Sequence, residues 1–306
     1  MEPDLPKKII GSSRLAILIA STVVHSAAIM SQYPLKLVLP KPLYNRFTHP
    51  LIFKFAEHWT KVNNLFIEHL PDIELDIQLP EDIRYDGNYF IIANHQTWVD
   101  IVVLQYVFYR KTTFIRFFTK QELAYLPFLG QALYVMDFPY MKRYSKELLA
   151  KHPHLQGKDL ETTRESCAKI QENPYAILNF LEGTRFTSHK HQQQQSPYRH
   201  LLKPKSGGMA FALRALGSDI KELVDVTVYY PEGAPRFIDF WSGKTKTIKV
   251  SAKLRPIPPE FTQGDYEHDT AFRERFQTWI NQLWQEKDTL LATWHAEINK
   301  KTDTHE

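Results

Sequence analysis

The chain has 306 residues, 43% of them hydrophobic, enough for a substantial core and too many for a disordered protein. Its 38 basic and 34 acidic residues leave a formal charge of only +4 with no basic block, which excludes nucleic acid as a natural first partner. A single cysteine, Cys167, excludes both an intramolecular disulfide framework and a cysteine-built zinc site, and its helical-looking setting without a nearby His reads as a small packing residue.

The first element in chain order is LAILIASTVVHSAAIMSQYPL, uncharged between Arg14 and Lys36 and preceded by Lys7, Lys8 and Arg14. About 20 such residues can cross a bilayer as a helix, so residues 1–40 are expected to form a membrane anchor ahead of a domain spanning 41–306. Ser21, Thr22, His25 and Ser26 dilute the stretch and Pro34 ends it, so a shallow or re-entrant insertion competes with a full span. Ser26-Ala27-Ala28 also resembles a signal-peptide cleavage site. The flanking cations favour a cytoplasmic start; a single span then puts the domain outside, whereas a hairpin or monotopic insertion returns it to the cytoplasm.

Residues 50–70 read as a helix, and Ile73, Leu75, Ile77 and Leu79 then alternate with polar residues as in a half-buried strand. YFIIA (89–93), TFIRFF (113–118), ALYVMD (132–137) and YAILNFL (175–181) are near-continuous apolar runs, expected of strands covered on both faces. Helical patterns intervene at 98–109, 159–172 and 205–216. LVDVTVYY (223–230), RFIDFW (236–241) and TIKVSAKL (247–254) are predicted as later strands, before a long C-terminal helix over 269–298. The alternation predicts an α/β fold: a mixed, largely parallel sheet flanked by helices.

In such sheets reactive groups gather at the carboxyl ends of the strands. His95 stands where YFIIA ends, in the polar knot Asn94, His95, Gln96 and Thr97, and Asp100 follows one helical turn later. Across a strand-to-helix turn the carboxylate can fold back to the imidazole, fix its tautomer and leave the second nitrogen free to take a proton; the same pattern also suits a structural histidine. NFLEGTRFT (179–187) repeats the arrangement, with Gly183 permitting close backbone approach and Arg185 offering a forked donor suited to phosphate. Lys203 and Lys205 precede Gly207-Gly208 at a helix start, a second candidate anion site. His189, His191 and His200 lie in a Gln-rich loop that reads as a solvated excursion, so no metal site is expected. No GxSxG nucleophile elbow is present.

Asn94-His95 with Asp100 matches an NHxxxxD motif, and FLEGTR (180–185) matches FxEGTR. In this order and separation they resemble the glycerolipid acyltransferases of the 1-acylglycerol-3-phosphate acyltransferase type, over about residues 40–290. MKRYS (141–145), GKDLETTRESC (157–167), EGTRFTSHKHQQ (182–193) and LLKPKSGG (201–208) look most like the branch containing lysocardiolipin and lysophospholipid acyltransferases and their bacterial inner-membrane relatives.

The resemblance implies that His95 is the general base, that Asp100 orients and charge-balances it, and that a lipid hydroxyl attacks an acyl thioester directly. It implies that Glu182, Gly183, Thr184 and Arg185 shape the acceptor site, with Arg185 on its phosphate, and that Lys205 and Gly207 belong to a downstream lysine–glycine element. Gly130, ALYVMD and the more distant Arg143 are an inexact match to the family's second motif, which makes Arg143 a candidate phosphate ligand. No cofactor is implied beyond an acyl-CoA or acyl carrier protein thioester as co-substrate. The partners implied are a lysophospholipid acceptor and membrane lipid, at a bacterial inner membrane with the site on its cytoplasmic side. A thioester hydrolase and a catalytically silent lipid-binding protein remain the alternatives. Phe272, Phe276, Ile280, Leu283, Leu290 and Trp294 recur at helical spacing near the C-terminus, suited to packing on the domain or to membrane contact.

Overall fold

A computed structural model describes residues 4–141, 165–168, 170–171 and 174–303. Helix α1 (Asp4–Met30) leads through α2 (Tyr33–Val38) and a short π-helical turn into α3 (His49–Glu68). There follow β1 (Glu74–Gln78), β2 (Tyr89–Ala93), α4 (Val99–Val107), β3 (Ile115–Phe117), α5 (Leu129–Val135), β4 (Ala176–Phe180) and α6 (Ser188–Gln194). The chain continues through α7 (Ser206–Leu216), β5 (Glu222–Tyr229), α8 (Phe237–Trp241), β6 (Thr247–Pro256) and α9 (Thr270–Asp303).

Six strands form one sheet in the order β1-β6-β5-β2-β4-β3. Every neighbouring pair is parallel except β5 with β6. The fully apolar β2, paired with β4 and β5, has no water-facing side. Phe90 and Ile92 pack among Met209, Leu213, Phe276, Ile280 and Trp284, on the face covered by α7 and α9. Tyr89 and Ile91 face Val103, Leu104, Phe240 and Trp241 on the other. This two-sided burial is why the central strands are continuous apolar runs while β1, at an edge, alternates.

The long α9 is held by charge as well as by its apolar stripe. Lys287, wholly buried, places Nζ 2.6 Å from Asp225 Oδ1 on β5 and bonds the Val226 carbonyl and Thr227 Oγ1 as well. A buried ammonium is tolerable only with such a complete set of acceptors. The aromatic and aliphatic spacing noticed in the sequence thus serves the core: Phe272, Phe276, Ile280, Leu283 and Trp294 are all buried.

Two predicted strands are helices. ALYVMD falls mostly in α5, where Ala132, Leu133 and Val135 are buried while Tyr134 is 52% exposed, a helical and not an alternating distribution. Gly130 is buried in the same helix, so close to the Leu123 and Ala124 carbonyls that a Cβ could not be added without moving backbone. RFIDFW forms α8, with Arg236 and Asp239 ion-paired across one turn at 2.5 Å and Phe240 and Trp241 turned into the core. A short apolar run carries no period long enough to separate strand from buried helix, so tertiary packing decides.

Ile9–Val38 is long and apolar enough to cross a membrane by length and composition. Helix α1 packs along α3, α5 and α8 and is buried at Leu18, Ser26 and Ile29. Two of its polar residues face the same way: Thr22 accepts from Trp59 Nε1 at 3.0 Å, and His25 Nε2 meets His58 Nδ1 at 2.8 Å. The opposite side exposes Ile17, Ile19, Val23 and Val24.

Candidate active site

Parallel register brings the two motif loops together. Ala93, the last residue of β2, pairs with Phe180, the last of β4, so the chain leaves both strands at the same height and on the same sheet edge. Strand β5 runs parallel on the other side of β2 with Ala93 opposite Val226, and its end delivers Tyr229 and Tyr230 to that edge. Asn94 extends the ladder with its side chain: its Nδ2 donates to the Val228 carbonyl at 2.9 Å and its Oδ1 accepts from Val228 N at 2.8 Å.

His95 Nδ1 lies 2.8 Å from Asp100 Oδ2. The carboxylate can only accept, so Nδ1 carries the proton and Nε2 presents a lone pair. Asp100 is fully buried in the first turn of α4, and its Oδ2 also accepts from the backbone N–H groups of Gln96 (2.7 Å) and Thr97 (2.9 Å). Its other oxygen accepts from Tyr230 at 2.8 Å. The imidazole stacks on Phe180, ring centroids 4.0 Å apart and planes 19° apart, which fixes its plane. The histidine side chain is 13% exposed, so solvent or a ligand can reach it. Among the described residues Nε2 has no hydrogen-bond partner.

The second loop is tied to the first through its backbone. Glu182 is 1% exposed and clamps two segments, Oε1 accepting from His95 N at 3.0 Å and Oε2 from Leu202 N at 3.2 Å. Burial pushes its carboxyl up to about 8, against the pull of those two donors. Gly183 turns the chain at φ +66°, a conformation open to glycine at little cost. Phe186 N donates to the His95 carbonyl at 2.7 Å, closing the loop over the knot. Arg185 is exposed, with its guanidinium 5.1 Å from the Trp98 ring centre, in the loop that carries His95. Thr184 Oγ1 accepts from Lys190 Nζ at 2.7 Å, and the same ammonium donates to the Arg185 carbonyl at 3.1 Å.

Lys205 is the residue before α7 and its N–H donates to the Leu181 carbonyl at 2.7 Å, so the lysine–glycine segment runs beside the second motif. Gly207 lies in the first turn of α7, where an added Cβ would reach the Tyr266 ring at ordinary contact distance. Arg143 lies outside the described residues. The structure therefore gathers His95, Asp100, Glu182, Gly183, Thr184, Arg185 and the backbone of Lys205 at one edge. Sequence reading missed Tyr230, Lys190, Trp98 and the stacking role of Phe180. Only Tyr230 carried a usable signal, through the two-residue period of β5.

Cys167 is buried, and burial pushes its thiol up to about 12, which suits packing and not nucleophilic attack. Among the described residues no group of three His, Cys, Asp or Glu could hold a metal ion. The site can accept a proton at His95 Nε2 and can present the Arg185 cation at its rim.

The Acyltransferase family model matches residues 74–231. An uncharacterised acyltransferase of Saccharomyces cerevisiae is 26% identical over 240 residues, covering 69% of this chain and 60% of that protein. The 2-acyl-1-lysophosphatidylinositol acyltransferase of the same yeast is 23% identical over 258 residues, covering 69% and 62%. The 1-acyl-sn-glycerol-3-phosphate acyltransferase delta of Bos taurus is 27% identical over 180 residues, covering 55% and 42%. The chain thus spans between 42% and 62% of the length of these relatives. The crystal structure of the 1-acyl-sn-glycerophosphate (LPA) acyltransferase from Thermotoga maritima superposes with a TM-score of 0.51 at 15% identity, covering 92% of this chain and 97% of that one.

Proposed function

The chain belongs to the acyltransferase family, and on that premise we propose that it moves a fatty acyl group from an acyl thioester to the free hydroxyl of a lysophospholipid. The observation that carries the reading is His95, pinned at Nδ1 by a fully buried Asp100 and stacked on Phe180, with Nε2 free at the edge where the two motif loops meet. Relatives named for lysophosphatidylinositol and 1-acylglycerol-3-phosphate acylation support a phosphate-bearing lysolipid as the acceptor class.

In this mechanism Nε2 takes the acceptor's hydroxyl proton as its oxygen attacks the thioester carbonyl carbon. Asp100 stabilises the imidazolium that forms. Collapse of the tetrahedral intermediate completes the ester C–O bond, breaks the C–S bond and returns the proton from His95 to the departing thiolate. No acyl-enzyme forms and no cofactor takes part beyond the donor, coenzyme A or acyl carrier protein. Arg185 grips the acceptor phosphate with its fork, held in place by Trp98. Glu182 and Gly183 shape the loop that carries it, and Thr184 does so through Lys190. Lys205 and Gly207, beside that loop, and Arg143 supply further phosphate contacts.

Both acceptor and product reside in lipid, and the apolar outer side of α1 supports attachment by residues 1–40, with residues 41–306 as the catalytic domain. Lys7, Lys8 and Arg14 favour a cytoplasmic N-terminus, and α1 packed along the domain supports a monotopic insertion that keeps the site on that same side, where thioester donors are found, of a bacterial inner membrane. The test is to give the detergent-purified protein a panel of lysophospholipids with both donor types and identify the products by mass spectrometry. Lysolipid-dependent phospholipid formation is expected. Acyl release independent of lysolipid would point instead to thioester hydrolysis, and no turnover with any pair would point to a lipid-binding protein.

A further inference from the structure

Tyr229 ends β5 and Tyr230 follows it directly, the two side chains lying on opposite sides of the sheet as the two-residue strand period requires. Tyr229 faces α9, where its hydroxyl meets His295 Nδ1 at 3.0 Å. Tyr230 faces α4, and its hydroxyl donates to Asp100 Oδ1 at 2.8 Å. The two carboxylate oxygens are served very differently. Oδ2 receives His95 Nδ1–H and the N–H groups of Gln96 and Thr97, whereas among the described residues Oδ1 receives Tyr230 alone. Tyr230 is 2% exposed and Asp100 is fully buried, so bulk water has no ready access to replace a lost donor.

We propose that Tyr230 is a positioning residue for acyl transfer: its hydroxyl fixes the rotation of the Asp100 carboxylate and tempers the negative charge felt by His95. The proposal rests on the acyltransferase reading. Without that donor the carboxylate can twist about its Cβ–Cγ bond, which swings Oδ2 off the imidazole and off two backbone N–H groups at once. Its full charge then also acts on the imidazolium and makes His95 hold its proton to higher pH. Among the described residues the other ionisable groups beside the pair are Glu182, bound to the His95 backbone, and Arg185, stacked on Trp98; neither bonds Oδ1. Burial and the adjoining carboxylate raise the Tyr230 phenol well above its ordinary value, so it stays a neutral donor across the working pH range.

The experiment compares the wild-type full chain in detergent with Tyr230→Phe, which keeps the ring and removes the hydroxyl, and with 3-fluorotyrosine at position 230, which keeps ring and donor. For Tyr230→Phe, kcat is expected to fall about 10-fold, the scale of one lost hydrogen bond to a buried charge. Both substrate KM values should hold, and the acidic limb of kcat/KM against pH should move upward. The fluorotyrosine protein, a slightly stronger donor, should keep wild-type kcat with that limb unmoved or slightly lowered. A folded Tyr230→Phe protein with wild-type kcat and an unmoved limb would overturn the proposal, as would equal loss in both variants. If Tyr230→Phe does not fold, the fluorotyrosine protein decides alone: an upward limb or a loss of kcat overturns the proposal, and retention of both supports it. Absence of transfer in the wild type is a different outcome, which sinks the acyltransferase reading itself.

Discussion

Replacing Glu182 by glutamine changes stability in a way that depends on pH, and the structure sets both the sign and the size. In the unfolded chain this carboxyl titrates near 4.5; in the fold, burial raises it to about 8. Below pH 4.5 it is protonated in both states and has no effect. As pH rises from 4.5 towards 8 the unfolded chain releases the proton while the folded chain keeps it, so wild-type stability falls, and it levels off above 8. At pH 7, two and a half pH units at about 1.4 kcal/mol each come to roughly 3–4 kcal/mol of destabilisation. The substituted side chain would not titrate, but its amide nitrogen cannot accept, so either His95 N or Leu202 N loses its partner. That loss costs about 1–3 kcal/mol at every pH. The variant should therefore be less stable than wild type at pH 5, match it at a crossing between about pH 5 and 7, and be more stable at pH 8.5. Denaturant titrations across that range, read by circular dichroism, measure the difference directly. A difference that stays constant from pH 5 to 8.5 would refute the reasoning, because it would mean that Lys287 and the two backbone donors keep Glu182 ionised throughout.

His95→Ala should abolish transfer while preserving the melting transition and lipid association, since general-base catalysis contributes ~10²–10⁴-fold and, among the described residues, the nearby Glu182 carboxyl is buried and committed to two backbone N–H groups; wild-type turnover in the folded variant would exclude His95 as the base. Asp100→Asn should be nearly as severe, because an amide cannot balance imidazolium charge. Arg185→Lys and then Arg185→Ala should raise the acceptor KM in that order, with the donor KM little changed; the opposite pattern in steady-state kinetics would put Arg185 on the donor's phosphates. Val24→Glu combined with Ile17→Glu alters only exposed positions of α1 and should weaken flotation with liposomes without lowering the melting temperature, whereas unchanged flotation would place the anchoring surface elsewhere.

Several parts of this architecture are legible from local pattern. Apolar runs such as YFIIA and YAILNFL are strands because β2 and β4 are covered on both faces, and the alternation of 73–79 marks β1 as an edge. The spacing from His95 to Asp100 is enough to foresee contact across a strand-to-helix turn. ALYVMD and RFIDFW show the limit. Six apolar-rich residues suit either backbone, and the helices form because α5 and α8 present one side to the packed α1 and the core while leaving Tyr134 and Phe237 outside. The dilution of the N-terminal stretch by Thr22, His25 and Ser26 also has a tertiary cause, since these residues face the domain.

The sequence by itself determined where two polar motifs would meet: each directly follows an apolar strand, and both must emerge at the carboxyl edge of a largely parallel sheet. Only the tertiary structure decided how those groups are held. Tyr230 reaches Asp100 across 130 residues of chain, Glu182 joins His95 to Leu202, and Lys287 on the last helix anchors Asp225. The strand period can place Tyr230 on one face of β5, but the pairings themselves are not legible in the sequence, because each depends on sheet order and on which helix covers that face. Burial then does the rest. The same carboxyl group that would be an ordinary acid in an exposed loop becomes, at Glu182, one whose proton is held up to about pH 8.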